Sequence, residues 1–432
     1  MQSKRQTTFF WFRRDLRLHD NHGLHKALQT GLPVIPIFIF DEEIINELPE
    51  NDARIRFIYE SLEKIQKTLV EHNSSLLCIK GKTKEVWKKL IETYEVDAVY
   101  TNEDYEPYAI KRDLKISQLL QEKKIQFHSF KDQVIFEKSE VVKNDGLPYT
   151  VYTPYKNKWR NIFHGVSLEN YSVNHWDSYH KNHYDLPSLE SLGFEKSSIK
   201  VLPYAIDDLH DYEIERNLPY INKTSYLSPH LRFGTVSIRE LVVQLKHNEV
   251  FLNELIWREF FMQILYHFPK VVDQNFKAKY NHIEWRNNKE EFEKWKTGTT
   301  GYPFVDAGMR ELNQTGYMHN RVRMIVAGFL TKHLLIDWSW GEAYFAEKLL
   351  DYELSSNNGN WQWSAGTGCD SAPYFRVFNP TEQIKKFDKE LKYIRKWIPE
   401  FDSLEYPLPM VDHKFARERA LATYKIGLAK AE

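Results

Sequence analysis

Apolar positions along this chain follow two different periods. In the first third, short β-branched and aromatic runs recur at residues 7–12, 34–40, 76–80, 97–101 and 125–130. Between them lie longer segments of helical period, most clearly 53–72, where Ile55, Ile58, Leu62, Ile65 and Leu69 recur at spacings of three or four. That alternation predicts a parallel sheet covered by helices, an α/β Rossmann-like domain over residues 1–130. From 131 to about 200 the period is lost and Asn, Ser, His, Tyr and isolated Pro accumulate, which reads as an interdomain linker. From 201 to 432 helical patterns dominate, at 238–247, 252–267, 290–296, 306–314, 322–335, 341–352 and 381–397. The predicted fold class is therefore an α/β N-terminal domain joined to an all-helical C-terminal domain.

Composition narrows the function classes. The 432 residues carry 59 basic and 60 acidic side chains, a net charge of −1, so no general electrostatic footprint for nucleic acid exists and a DNA partner would need a local basic patch. Cys78 and Cys369, the only two cysteines, stand far apart outside any Cys/His cluster, which argues for a reducing compartment and against a structural metal site. The longest apolar run, 34–40, is far short of the ~20 residues that span a bilayer. A soluble, cytoplasmic protein without a targeting segment is expected. Neither GxGxxG nor GxxxxGK[ST] occurs, so the usual phosphate-cradling loops are missing. Eight of the twelve tryptophans lie from residue 257 onward, so the helical half uses indoles heavily.

Four segments of that half are unusual for plain core. Glu254, Trp257, Arg258 and Phe261 fall at i, i+3, i+4 and i+7, placing a carboxylate, an indole and a guanidinium on one helical face. That face is either a half-exposed surface with an intrahelical ion pair or a cleft wall with a stacking indole and a phosphate-binding arginine. His319, Asn320, Arg321 and Arg323 crowd a helix start, where free N–H groups also favour anions, and ordinary capping accounts for only one or two of them. Residues 357–368, NNGNWQWSAGTG, read as too rich in Gly and Asn for a continuous helix. Their indoles either plug the core or form a place where a flat ligand approaches the backbone. Thr224, Ser225 and Ser228 put three hydroxyls ahead of a helix, able to cap it or to bind a diphosphate.

These segments resemble, in order, the motifs of one family. WFRRDLRLHDN (11–21), YTPYKNKW (152–159), TSYLSP (224–229), ELIWREF (254–260), TGYPFVDAGMREL (300–312), GYMHNRVRM (316–324), and NNGNWQW through APYFRVFNPTEQ (357–383) are similar to the photolyase/cryptochrome flavoproteins. The resemblance is strongest to the bacterial class I cyclobutane pyrimidine dimer DNA photolyases. It implies an N-terminal antenna domain, a long linker, and a helical domain that binds a U-shaped FAD. It implies light-driven repair, in which photoexcited FADH⁻ lends an electron to a pyrimidine dimer flipped out of UV-damaged DNA. A monomer is expected.

Carried over motif by motif, Tyr212, Thr224, Ser225, Tyr226, Leu227 and Ser228 correspond to contacts of the flavin diphosphate and ribityl chain. Arg323, Asp351, Tyr352, Glu353 and Asn357 correspond to the surroundings of the isoalloxazine, with Asn357 facing N5. The family usually has Asp-x-Asp where this chain has Asp351-Tyr352-Glu353. Trp257 and Trp363 would line the lesion pocket, Glu254 and Asn320 would hydrogen-bond the dimer, and Met324 would pack on it. Arg216, Arg258, Arg321, Arg376 and Gln383 would hold the strand. Trp361, Trp338 and Trp285 match the family's tryptophan relay, while Trp295, Trp340 and Trp397 are left to packing. A (6-4) photolyase would show a histidine pair where Met318-His319-Asn320 stands, and a signalling cryptochrome would carry a long C-terminal extension. Tyr108-Ala109 replaces the Asn-Glu pair of folate-using relatives, so a folate antenna is not expected, and a deazaflavin, a second flavin or an empty pocket remain as alternatives.

Overall fold

A computed structural model describes residues 6–221 and 223–431. The chain forms two compact units, and neither is one continuous stretch. The first comprises Met1–Glu140, Ile162–Pro203 and Leu227–His247; the second comprises Val141–Asn161, Tyr204–Tyr226 and Asn248–Glu432.

The first unit is built on the five strands that the alternation predicts: β1 (Gln6–Phe12), β2 (Val34–Asp41), β3 (Leu77–Gly81), β4 (Glu95–Asn102) and β5 (Gln126–Phe130). They pair in parallel in the order β3-β2-β1-β4-β5. The central strand β1 is buried on both faces from Thr7 onward, which is why its second half, residues 9–12, is continuously apolar rather than alternating. Phe9 and Trp11 point into one core with Trp87, Leu90 and Leu120. Phe10 and Phe12 point into the other with Leu24, Leu62 and Ile65. The predicted 53–72 helix runs Ala53–Glu71, started by the Asp52 carboxylate accepting from the Arg54 N–H. Asp132 is buried between two guanidiniums, accepting from Arg17 at 2.8 Å and from Arg239 at 2.8 Å, while Arg239 also reaches Asp20 at 2.9 Å. Burial alone would raise the Asp132 pKa, but the two arginines win and hold it below the usual carboxylate value.

The second unit is helical. Its largest core gathers Trp295, Phe304, Val322, Val326, Leu330, Trp338 and Trp361. Three expectations are corrected here. Residues 357–368 are not an irregular loop: a helix spans Leu354–Ala365 and ends where Gly366 takes the left-handed conformation at φ +85°. Its poor intrinsic propensity is overridden by tertiary bonds. Asn358 and Gln362 donate to the Val271 carbonyl at 2.8 and 3.0 Å, and Gly359 leaves the space that Phe261 occupies, since a Cβ there would meet that ring at 2.2 Å. Residues 381–397 form two helices, Pro380–Phe387 and Lys392–Trp397. The break is stabilised by Asp388, whose carboxylate accepts the N–H groups of Tyr393 and Ile394, with Leu391 at φ +58°. The stretch read as a linker without period contains a helix, Tyr152–Phe163, which buries Tyr152, Tyr155 and Trp159 at i, i+3 and i+7.

Candidate active site

The site is built from the residues of the second unit. Along the Glu249–His267 helix, everything from Phe251 to Leu265 is buried except Asn253, Glu254, Trp257 and Arg258. Those four form one half-open face on an otherwise immersed helix. Phe261, predicted to share it, is buried and packs against Trp257 with ring centroids 5.4 Å apart.

Each polar group on that face is tied to a different segment. The Arg216 guanidinium donates to Glu254 Oε1 at 2.6 Å and lies 5.4 Å from the centre of the Tyr212 ring. Burial lowers the pKa of Arg216, but the bond and charge of Glu254 more than offset it and the net shift is upward. Arg258 reaches Glu353 Oε1 at 3.4 Å, and Ser356 Oγ donates to the other carboxylate oxygen of Glu353 at 3.0 Å. Both ion pairs therefore leave their own helix, rather than joining Glu254 to Arg258 along it.

The Asn320–Gly328 helix brings the second group. His319 is its N-cap: the ring Nδ1 accepts from the Arg321 N–H at 3.2 Å. Burial, with Arg321, Arg323 and Arg216 nearby, pushes the imidazole down to about 4, so it is neutral at pH 7. Arg321 donates to Asn217 Oδ1 and lies 4.4 Å from the centre of the Phe387 ring, with Nη1 3.8 Å from Met324 Sδ. Arg323 donates to Asp351 Oδ2 at 2.9 Å and to the Met318 carbonyl at 2.8 Å. Asn320 is exposed, at the first turn.

The Leu354–Ala365 helix supplies Asn357, Trp361 and Trp363. Asn357 Nδ2 donates to both the carbonyl and Oε1 of Glu342, at 3.1 and 2.8 Å. Burial raises the Glu342 pKa, against which the Asn357 bond acts. Trp361 is buried, 4.9 Å from Phe345 and 6.1 Å from Trp295 by ring centroids, and Gly341 makes room for it: a Cβ there would meet the indole at 2.1 Å. Trp338 is buried in the same core and donates from Nε1 to Asn275 Oδ1 at 2.9 Å. Trp285 packs on the rim of that core, half-buried, with Tyr424 at 5.9 Å. Trp363 is half-buried, Gln383 is half-buried and Arg376 is exposed.

The remaining predicted residues are spread more widely. Tyr212 opens the single turn Tyr212–Glu215, and Thr224, Ser225 and Tyr226 follow in the same unit, Tyr226 at φ +51° and 5.0 Å from the Tyr317 ring. Leu227 and Ser228 open the Leu227–Phe233 helix, which belongs to the first unit. Tyr352 is half-buried beside Asp351. Two further residues, Asn217 and Glu342, carry no mark in the sequence. Each acts through a neighbour remote in sequence, so no local pattern could have marked them.

In the first unit Tyr108, which stands in place of the folate pair, donates its hydroxyl to Asp41 Oδ2 at 2.7 Å and to Glu43 at 3.3 Å.

Comparison with known proteins decides the family. Residues 8–172 match the family described as DNA photolyase, and residues 251–405 match the FAD binding domain of DNA photolyase. The deoxyribodipyrimidine photo-lyase of Agrobacterium fabrum is 35% identical, with 98% of each chain covered. The chain belongs to the photolyase family. A crystal structure of a bacterial class III photolyase from Agrobacterium tumefaciens superposes with TM-score 0.88 at 34% identity, covering 100% of this chain and 99% of that one. An archaeal photolyase from Sulfolobus tokodaii, solved with two FAD molecules, superposes with TM-score 0.86 at 36% identity, covering 97% and 100%.

The residues of this photolyase fit a flavin. Because both partners of Asn357 on Glu342 are acceptors, the amide nitrogen faces them and the carbonyl oxygen is left for a donor such as a ring N–H. Ser355, two residues earlier, is buried with a hydroxyl that has no hydrogen-bond partner in the protein. Arg323 and Asp351 add a charged pair within the same element cluster. Among the described residues no helix is long and apolar enough to cross a membrane, and no group of His, Cys, Asp or Glu could hold a metal.

Proposed function

We propose that this chain repairs UV-damaged DNA by splitting cyclobutane pyrimidine dimers in the light, as a cytoplasmic monomer. Bound and reduced FAD supplies the electron that a photon releases. The chain's own residues orient that group, receive the flipped lesion and hold the strand. The observation that carries this reading is the half-open face of Glu254, Trp257 and Arg258, set on a buried helix and linked to Arg216, in a chain whose relatives are photolyases over nearly their whole length.

Residue roles are assigned from the resemblance to the family, and the contacts described above support some of them. Asn357 offers its carbonyl oxygen to the flavin ring, with Arg323, Asp351, Tyr352 and Glu353 around it. Tyr212, Thr224, Ser225 and Tyr226 hold the diphosphate and ribityl chain. The Trp257 and Trp363 indoles flank the dimer, Glu254 and Asn320 hydrogen-bond it, and Met324 packs on it. Arg216 orients Glu254, and Arg258 braces Glu353. Arg216, Arg258, Arg321, Arg376 and Gln383 hold the strand, which gives a neutral chain its local cationic face. Trp361, Trp338 and Trp285 carry electrons from the rim of the core to the flavin. Residues 1–130 are read as the antenna domain, 131–200 as the linker and 201–432 as the flavin domain. A second, light-harvesting chromophore is proposed for the α/β unit. With folate disfavoured by Tyr108, a second flavin is the reading to test, by extraction and absorption of protein purified from its host.

Dark titration with a duplex carrying one dimer, against the same undamaged duplex, tests lesion recognition. Preference for the dimer of roughly 10³-fold or more is expected for specific binding. Equal affinity contradicts the proposal.

A further inference from the structure

Residues 152–161 of the Tyr152–Phe163 helix belong to the second unit and lie against the Glu249–His267 helix, and the first of them touches the site. The Tyr152 ring is stacked on Trp257, with centroids 3.6 Å apart and planes 8° from parallel. The tyrosine has no freedom to follow the indole. Its backbone N–H donates to Asp370 Oδ2 at 2.9 Å, and its hydroxyl donates to the Asn253 carbonyl at 2.8 Å. Seven residues on, Trp159 Nε1 donates to the buried Glu259 carboxylate at 2.6 Å, which fixes the helix that carries the tyrosine. Tyr155 adds a ring contact with Phe260 at 5.2 Å. On the indole itself, Phe261 sits 5.4 Å away, and Phe261 is wedged against Gly359.

Trp257 is thus the half-open member of a set of rings whose other members are buried. A free indole on a helix surface samples several rotamers, and ordering it on binding costs affinity. An indole already stacked on a fixed ring has lost that freedom beforehand. We propose that Tyr152 is a positioning residue for lesion capture: it fixes the plane of Trp257, so that a flipped dimer meets an oriented surface. This rests on the reading that Trp257 lines the lesion pocket. It gives the linker helix a part in recognition, acting through Trp257 and not by touching the dimer.

The test uses FAD-loaded, full-length protein in the dark and a labelled duplex with or without a single dimer. Tyr152→Met keeps an apolar, flexible side chain and removes the ring; Tyr152→Phe keeps the ring and removes only the hydroxyl bond. Loss of a stacked pair predicts a roughly three- to tenfold weaker affinity for the dimer duplex in Tyr152→Met. Affinity for undamaged duplex stays within about twofold, and Tyr152→Phe restores most of the dimer preference. In a Trp257→Ala background, Tyr152→Met adds less than about twofold, because the ring it positions is gone. Tyr152→Phe, which retains the buried ring, keeps the test decisive if Tyr152→Met is poorly folded: a loss as large as that of Trp257→Ala in this variant overturns the stacking role. Equal weakening of both duplexes, or full additivity with Trp257→Ala, also overturns it. If Trp257→Ala itself leaves dimer affinity unchanged, the parent reading of Trp257 fails instead, and the two failures are distinguishable.

Discussion

Asn357 and Glu342, fifteen residues apart on two packed helices, face each other with the amide nitrogen 2.8 Å from the carboxylate oxygen and 3.1 Å from the backbone carbonyl. This pairing fixes which end of the amide is free. The carbonyl oxygen is turned away from Glu342 and can accept only from a donor on the other side.

Glu342→Leu removes the side-chain acceptor and lets the amide rotate. A lost, oriented bond of this kind is worth about 1–3 kcal/mol. The photoreduced protein is expected to return to its oxidised spectrum in air about tenfold faster than the parent, corresponding to about 1.4 kcal/mol. An unchanged reoxidation rate would remove Glu342 from the account.

Trp285→Phe and Trp361→Phe interrupt the proposed electron route at its rim and at its buried end. Photoreduction of bound FAD should slow by at least about tenfold in each. Rates equal to the parent's in both proteins would mean that these indoles serve packing alone, as Trp295 does in contacting Trp361 at 6.1 Å.

His319 gives the second unit an acid limit. Its imidazole titrates near 6.5 when unfolded and about 4 when folded, because burial and three arginines disfavour the charge. Between those values the unfolded chain binds more protons, so stability falls as pH drops from about 6.5 to about 4, by about 3 kcal/mol in total. Denaturant midpoints measured across that range check the slope. His319→Asn, which keeps an N-cap acceptor, should flatten it.

Asp132 holds two buried guanidiniums in the first unit. Asp132→Ala leaves Arg17 and Arg239 without their shared carboxylate and is expected to cost about 3–5 kcal/mol, read as a lowered denaturation midpoint. A loss under about 1 kcal/mol would show that water replaces the carboxylate.

Much of this structure is legible in the sequence, for identifiable reasons. β2 was readable because a central parallel strand is buried on both faces and writes a continuous apolar run, whereas the half-exposed edge strands β3 and β5 were readable from short β-branched or aromatic runs set between helical periods. Helical spacing put Glu254, Trp257 and Arg258 on one face but also put Phe261 there, which is buried. What could not be read depends on partners distant in the chain. The Leu354–Ala365 helix forms despite its Asn and Gly content because Val271 and Glu342 satisfy its amides. The Tyr152–Phe163 helix hides in a polar stretch because its three inward aromatics matter only against Phe260 and Glu259. Asn217, beside Arg321, carries no local mark.

The central claim is repair. Reduced, FAD-loaded protein mixed with an oligonucleotide containing a pyrimidine dimer and illuminated with near-ultraviolet or blue light should restore the intact pyrimidines, while the same mixture in the dark retains the dimer. Equal dimer content in the illuminated and dark samples would contradict the account.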